Sequence, residues 1–353
     1  MSLFSPSFIC GVKIDEYIYA SAFKFNGLIK IGINEGETEC ILRFPKSDLL
    51  IQNQHSRAYK YNGKIYFCPA LGNYIHIYDY KLNNIEYCEI NRQNYKGEYY
   101  GLLYKDNIIL SPKMVGGDLL CFNIKNRKIS ILLKWDDIKN YIDRNSTCLF
   151  LRVTIANNKL YLPVYNTSYI FVLNLNTLGF EKLDIQLNNL LGVFGGKDNL
   201  FFLVNDKSLV YKWNLLTNNI KECKSEETLE KENLYTFAIN LDDKQYFFPS
   251  YSKAIISVEQ ADNIRCLLRL DNTDEKLLYS EPFYDENKIW ALPFEGCNML
   301  CISENKINKI KLSDIKINYI YKNILLKNKV SLKEMLYEGE NLSFNEFVKG
   351  ISL

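Results

Sequence analysis

Residues 64–69 read Lys-Ile-Tyr-Phe-Cys-Pro, a short apolar run that follows a turn and is closed by proline. The same arrangement returns at Ile108–Pro112 (IILSP), Leu160–Pro163 (LYLP), Gln245–Pro249 (QYFFP) and Ile289–Pro293 (IWALP). These prolines, at 69, 112, 163, 249 and 293, lie 43, 51, 86 and 44 residues apart, and 86 is twice 43. Asn199–Val204 (NLFFLV) fills the double step without a proline, and Tyr17–Ala22 (YIYASA) precedes the first copy. Seven copies at about 45 residues are the mark of an array of small repeated units.

Each run is followed by two more apolar segments around a polar turn, as in Tyr74–Ile90 (YIHIYDYKLNNIEYCEI) and Tyr169–Ile185 (YIFVLNLNTLGFEKLDI). Period-two alternation broken by Asn, Asp or Gly is the hairpin signature. A further segment precedes each run: ICGVKIDE, SRAYKYNG, YYGLLYKD, LRVTIANN, LGVFGGKD, TFAINLDD and SEPFYDEN. The expected fold is therefore all-β, a seven-bladed β-propeller of four-stranded antiparallel blades over residues 1–314. Residues 315–353 form a C-terminal extension with one or two short helices, because Ser331-Leu-Lys-Glu334 and Ser343-Phe-Asn-Glu346 both match the capping box.

Aligned on their turns, the first strands share two columns. One reads Gly11, Ala58, Gly101, Val153, Val193, Ala238 and Pro282, with no large residue, as expected where strands converge on a crowded axis. The column before it reads Cys10, Arg57, Tyr100, Arg152, Gly192, Phe237 and Glu281. Charge beside a crowded axis is costly without a partner. Arg57, Arg152 and Glu281 therefore either pair with one another across the channel or serve a ligand.

The prolines themselves belong at strand ends, since proline cannot donate to a ladder. They locate the loops after the second strands, which open with the inter-blade loops onto one face. On that face Lys113, Tyr165, Tyr251 and Phe294 are the candidate adhesive side chains. Inter-blade inserts at Pro45–Gln54, Lys134–Cys148 and Lys224–Asn233 add irregularity there, the second with Trp135, Ile138, Tyr141 and Ile142 at helical spacing.

Chemistry-bearing motifs are scarce. There are two histidines, His55 and His76, no nucleophile elbow, no P-loop and no dinucleotide fingerprint. No cofactor and no metal site is expected. The ten cysteines form no CxxC pair, which suits a reducing compartment, and the expected location is cytoplasmic. The opening MSLFSPSFICGVKIDEY is a poor signal peptide, and no stretch approaches the roughly 18 apolar residues of a membrane span. Lys plus Arg at 43 nearly balances Asp plus Glu at 41, so neither nucleic acid nor an anionic membrane is an expected partner.

The protein resembles kelch-type and kelch-related seven-bladed propellers over about residues 7–312, chiefly through Asn62-Gly-Lys-Ile-Tyr66 and Asn157-Asn-Lys-Leu-Tyr161. The paired glycines and later Tyr and Trp of the kelch unit are missing from most blades. It is also similar to uncharacterised propellers of AT-rich Gram-positive bacteria that accompany glycan or peptide assembly genes. The expected function is a non-catalytic scaffold that binds a protein, peptide or glycan through Arg57, Tyr100, Arg152 and Glu281 near the channel, with the loop residues around them. The C-terminal tail is a second docking candidate. The rival expectation is a carbohydrate-active or peptide-modifying enzyme with Glu281 as acid or base and Arg152 or Tyr100 stabilising charge.

Overall fold

The computed structural model describes residues 4–92, 95–142, 146–195, 198–204, 210–225, 234–241, 244–251, 254–258, 263–269, 278–303, 306–319 and 321–326. Seven blades of four antiparallel strands follow one another in sequence, the four strands of each in sequence order, and a separate two-stranded sheet pairs Leu278–Tyr279 with Pro293–Glu295. Blade 1 comprises Phe8–Ile14, Tyr17–Ala22, Leu28–Gly32 and Thr38–Leu42. Blade 2 starts at His55–Tyr61, blade 3 at Tyr99–Tyr104, blade 4 at Thr154–Ala156, blade 5 at Leu190–Gly195, blade 6 at Leu234–Leu241 and blade 7 at Phe283–Asp285. Blade 6 gains a fifth, parallel strand from Lys224–Ser225. This is the seven-bladed propeller that the repeat implies.

A four-stranded blade has two faces and cannot bury either alone, so its alternating apolar residues need a neighbour. Among the described residues there are seven hydrophobic clusters, and each joins two adjacent blades. Phe67 of blade 2 packs with Leu28 of blade 1, and Phe247 of blade 6 with Phe194 of blade 5. The core is thus a ring of seven layers.

The ring closes without sharing a strand between the two ends of the repeat. Blade 7 is built wholly from the end of the repeat and blade 1 wholly from its beginning. Residues beyond blade 7 clasp the seam instead. Ser313 and Lys316 hydrogen-bond Thr38, the Cys40 amide donates to the Lys316 carbonyl, and the Ile315 amide donates to the Phe4 carbonyl. Residues 319 and 321–326 are helical, with Tyr321 donating to the Asn26 carbonyl and Leu325 fully buried against blade 1. Both expected capping boxes lie outside the described residues. The helix that is described starts earlier, after Asn318, a favourable N-cap type, with Tyr321 and Leu325 four apart on one face.

Three prolines close their strands as expected, at Lys64–Pro69, Asn107–Pro112 and Lys159–Pro163. Pro249 and Pro293 do not. The strand Lys244–Tyr251 continues past Pro249, and Pro293 opens a separate short strand, Pro293–Glu295. In both cases the register slips beside the proline, which absorbs its missing donor. The insert after blade 3 forms the expected short helix, Trp135–Ile138, followed by a tighter turn at Lys139–Tyr141. Most of the Lys224–Asn233 insert lies outside the described residues.

The small column is steric, but the crowding does not come from the axis. A Cβ on Gly101 would lie 2.4 Å from Cβ of Cys68, and one on Gly11 would lie 2.7 Å from Cδ1 of Leu292. Cys68 and Leu292 belong to the second-strand region of the preceding blade. Blade-on-blade packing therefore sets the limit.

Candidate functional site

The polar column converges on the channel. Arg57 Nη2 lies 2.6 Å from Glu281 Oε1, and the Tyr100 hydroxyl donates to the same carboxylate oxygen. The Arg57 guanidinium sits 5.3 Å from the Tyr100 ring centroid. Arg152 also lies 5.3 Å from the Tyr100 ring and 4.4 Å from the Phe237 ring, within cation–π range of both. Blades 2, 3, 4, 6 and 7 each contribute one member.

The repeat places Arg152 and Glu281 inside first strands, yet each precedes a shortened one, Thr154–Ala156 and Phe283–Asp285. The Arg152 carbonyl accepts instead from the Val193 amide of the next blade. Gly192, the member of this column from blade 5, leaves room for Arg152: a Cβ there would meet Arg152 Cβ at 2.5 Å. A glycine amid polar and aromatic residues is the sequence signal for that approach.

Glu281 is 6% exposed and Tyr100 3%, so the pair depends on Arg57 for compensation. Burial works against the Arg57 charge, but Glu281, then Tyr100 and Tyr59, more than offset it and raise its pKa. Burial likewise pushes the Tyr100 hydroxyl well above its ordinary value, so it stays a donor. This cluster is mutually satisfied and divides the channel.

A cavity lies on each side of it. One, of about 260 Å³, is lined by Val12, Tyr59, Lys60, Ile239, Tyr284 and Asp285 above an Arg57–Glu281 floor, on the side of the first turns. The other, of about 300 Å³, faces the proline-marked loops and is lined by Glu98, Lys113, Met114, Leu151, Arg152, Leu191, Phe194 and Tyr235. Its walls are mainly apolar, with charge confined to one edge. Lys113 Nζ is 2.6 Å from Glu98 Oε2, and Asn53 also donates to Glu98. Burial and then the nearby Arg152 lower the Lys113 pKa, against the pull of Glu98. Burial raises Glu98, but Lys113 more than compensates and holds it below the usual carboxylate range.

Of the expected loop residues, Lys113 reaches this cavity. Tyr165 is half-buried, its amide bonded to the Leu149 carbonyl, and does not line it. Phe294 is half-buried too, with the Phe23 ring packed against it, tilted, at 4.4 Å. The side chain of Tyr251 and the loop Asn205–Lys207 lie outside the described residues. Among the described residues, the exposed apolar side chains in the loops of this face include Leu71 and Met114, each 41% exposed, which a search for aromatic tips overlooks, and Tyr141 of the insert after blade 3.

The two histidines form an unexpected pair. His76 Nε2 lies 2.9 Å from the Pro45 carbonyl, His55 Nε2 lies 2.9 Å from His76 Nδ1, and Ser21 Oγ lies 2.8 Å from His55 Nδ1. Burial lowers His76 to about 4, and burial and then His76 hold His55 well below its ordinary value. Both rings are therefore neutral at pH 7, and the pattern of bonds assigns their protons. A carbonyl only accepts, so His76 donates from Nε2 and accepts at Nδ1. His55 must then donate from Nε2 and accept from the Ser21 hydroxyl. Phe44 packs 4.4 Å from His55 and 5.0 Å from His76, which completes the apolar surroundings. The Pro45–Gln54 insert thus supplies structure, through the Pro45 carbonyl.

No protein-family model matches the sequence, and no curated protein matches it. Among solved structures it is similar to virginiamycin B lyase from Staphylococcus aureus, with TM-score 0.63, 14% identity, and coverage of 88% of this protein and 96% of the lyase. A streptogramin B lyase gives TM-score 0.62 and 14% identity, covering 87% of this protein and 94% of the lyase. The extracellular domain of a putative hybrid two-component system from B. thetaiotaomicron gives TM-score 0.60 and 14% identity, covering 87% of this protein and 39% of the other. At such identity the likeness is one of fold.

Proposed function

We propose that this protein is a non-catalytic, kelch-like recognition scaffold that binds a protein, peptide or glycan at the channel mouth on the proline-marked face. Lys113 and Arg152 make the polar contacts, and Arg57, Tyr100 and Glu281 form the rigid floor that positions Arg152. The observation that carries this reading is the state of Glu281. The carboxylate already pairs with Arg57 and accepts from Tyr100, so an acid–base role would require breaking a buried network. Beside it an apolar cavity with a charged edge faces the more irregular set of loops.

The resemblance to lyases does not favour shared chemistry. A catalytically inactive histidine-to-alanine variant of the S. aureus lyase has been solved with quinupristin. Here both histidines are buried and bonded to each other, and neither lines a channel cavity. The ten free cysteines fit a cytoplasmic setting.

The test is capture from native lysate on immobilised protein, comparing the unmodified protein with Lys113→Ala/Arg152→Ala. Partners retained by the first and lost by the folded variant support the reading; an unchanged capture profile sinks it. Turnover of a glycan or peptide panel that disappears in Glu281→Gln would instead establish the enzyme.

A further inference from the structure

The Arg57–Glu281 pair balances charge at the channel floor without using up its hydrogen-bonding groups. Arg57 Nη2 and the Tyr100 hydroxyl both meet Glu281 Oε1. Among the described residues no hydrogen bond reaches Oε2, and Arg57 makes no further hydrogen bond or ion pair. A guanidinium has five N–H donors and a carboxylate about four acceptor sites, so a donor edge and an acceptor oxygen remain side by side. Glu281 is buried, where an unmet oxygen is costly. Both residues line the cavity of about 260 Å³ on the side of the first turns, and neither lines the cavity at the opposite mouth.

The rest of that cavity narrows what can meet them. Lys13 bridges Asp285 and Glu286, and Lys60 also acts on Glu286. With the floor pair, three cations thus face three carboxylates in and around the cavity. The side walls are Val12, Ile239, Tyr59 and Tyr284. Tyr59 donates to the Gly101 carbonyl and Tyr284 to Asn287 Oδ1, so both hydroxyls are engaged and the walls offer carbon surface. The Tyr284 side chain is the open one, 49% exposed.

We propose that this cavity is a second binding site, for a neutral sugar ring, with two adjacent hydroxyls on Glu281 Oε2 and Arg57 and one face of the ring against Tyr284. A hydroxyl both donates and accepts, so a neighbouring pair can give a proton to Oε2 and accept one from the guanidinium. A charged ligand of either sign would upset the three-to-three balance. A wholly apolar one would cover Oε2 and the Arg57 edge with nothing to meet them. The apolar C–H face of a pyranose suits the Tyr284 ring. The volume admits about one such ring. This site lies across the floor from the recognition surface proposed above and does not depend on it. A free monosaccharide and the end of a glycan chain share this chemistry.

The full-length protein is titrated by calorimetry with the methyl glycosides of glucose, galactose, mannose and N-acetylglucosamine, the fully O-methylated form of each, and the disaccharides maltose and lactose. At least one sugar is expected to bind, and O-methylation, which removes the donor to Oε2, should weaken it at least about tenfold. Tyr284→Ala should weaken that sugar about fivefold, whereas Tyr284→Phe, which keeps the ring, should stay within about twofold of the unmodified protein. Glu281→Gln, which puts an amide where the acceptor was, should cost at least about tenfold. Thermal melting checks that the variants fold, and if Glu281→Gln does not, the two Tyr284 variants decide alone. Binding of a monosaccharide glycoside identifies a single sugar as sufficient, and binding of a disaccharide alone identifies the end of a glycan chain; both uphold the inference. No binding of any of these sugars, equal affinity for the O-methylated form, or unchanged affinity in Tyr284→Ala overturns it. Lysate capture with Lys113→Ala/Arg152→Ala reads the opposite mouth, so the two readings fail separately.

Discussion

Acidifying the solution from pH 7 to pH 5 should destabilise this fold through two buried histidines. His76 is pushed down to about 4 by burial, despite the Pro45 carbonyl that accepts a hydrogen bond from its ring. In the unfolded protein an imidazole titrates near 6.5. Its neutral form is therefore favoured by folding, and stability is complete above pH 6.5. As pH falls below that, the unfolded state takes up a proton that the folded state refuses, until the folded group titrates near 4. Between pH 7 and pH 5 this linkage costs about 2 kcal/mol for His76 alone. His55, held low by burial and then by His76, adds to the loss in the same direction. Set against a typical stability of about 5–15 kcal/mol, the change is large. Urea denaturation at half-unit pH steps, for the unmodified protein and for His55→Gln/His76→Gln, measures it. The variant starts less stable, because the Ser21–His55–His76–Pro45 relay of hydrogen bonds is broken, but its stability should fall by at least about 2 kcal/mol less across the interval. Carboxylates that also titrate in acid are common to both proteins and cancel. Parallel pH profiles would refute the buried, neutral assignment. So would a nitrogen NMR spectrum placing the proton of either ring on Nδ1.

Arg57→Ala should cost about 3–5 kcal/mol in the same denaturation assay, because it strands the Glu281 carboxylate in a buried site. Arg57→Ala/Glu281→Ala should cost less than the single change, and a larger loss in the double variant would contradict the pairing. Leu325→Ala should cost about 2–5 kcal/mol and lower Tm, since the side chain is fully buried where the tail clasps blades 7 and 1. An unchanged Tm would remove the tail from ring closure.

The blade pattern is legible in the sequence because it is local. KIYFCP and its counterparts alternate around turns of a few residues, and near neighbours in sequence pair as hairpins. Arg57, Tyr100, Arg152 and Glu281 are also legible as a group, since equivalent positions of the repeat bring them to the channel, although Arg152 and Glu281 lie just before their first strands. Tyr165 and Phe294 elude the sequence for the opposite reason: Tyr165 lies on a loop and Phe294 in the short strand Pro293–Glu295, and their partners, the Leu149 carbonyl and Phe23, are not encoded nearby. The histidine pair leaves no motif either. His55 and His76 lie on the first and third strands of blade 2, on either side of the strand holding Phe67, and meet only because that strand brings them to one face.

Hydrophobic period, turn residues and repeat length are enough by themselves to determine seven four-stranded blades and the column of side chains facing the axis. Closure of the ring decides the rest. Tyr100 and Glu281 are 181 residues apart, and whether a charge in that column meets a partner depends on which blades face each other across the channel. Short-range propensity carries no information about that distance. The ring converts one repeated position into a satisfied floor at Arg57, Tyr100 and Glu281 and a charged edge at Arg152, a distinction that exists only after the seventh blade packs against the first.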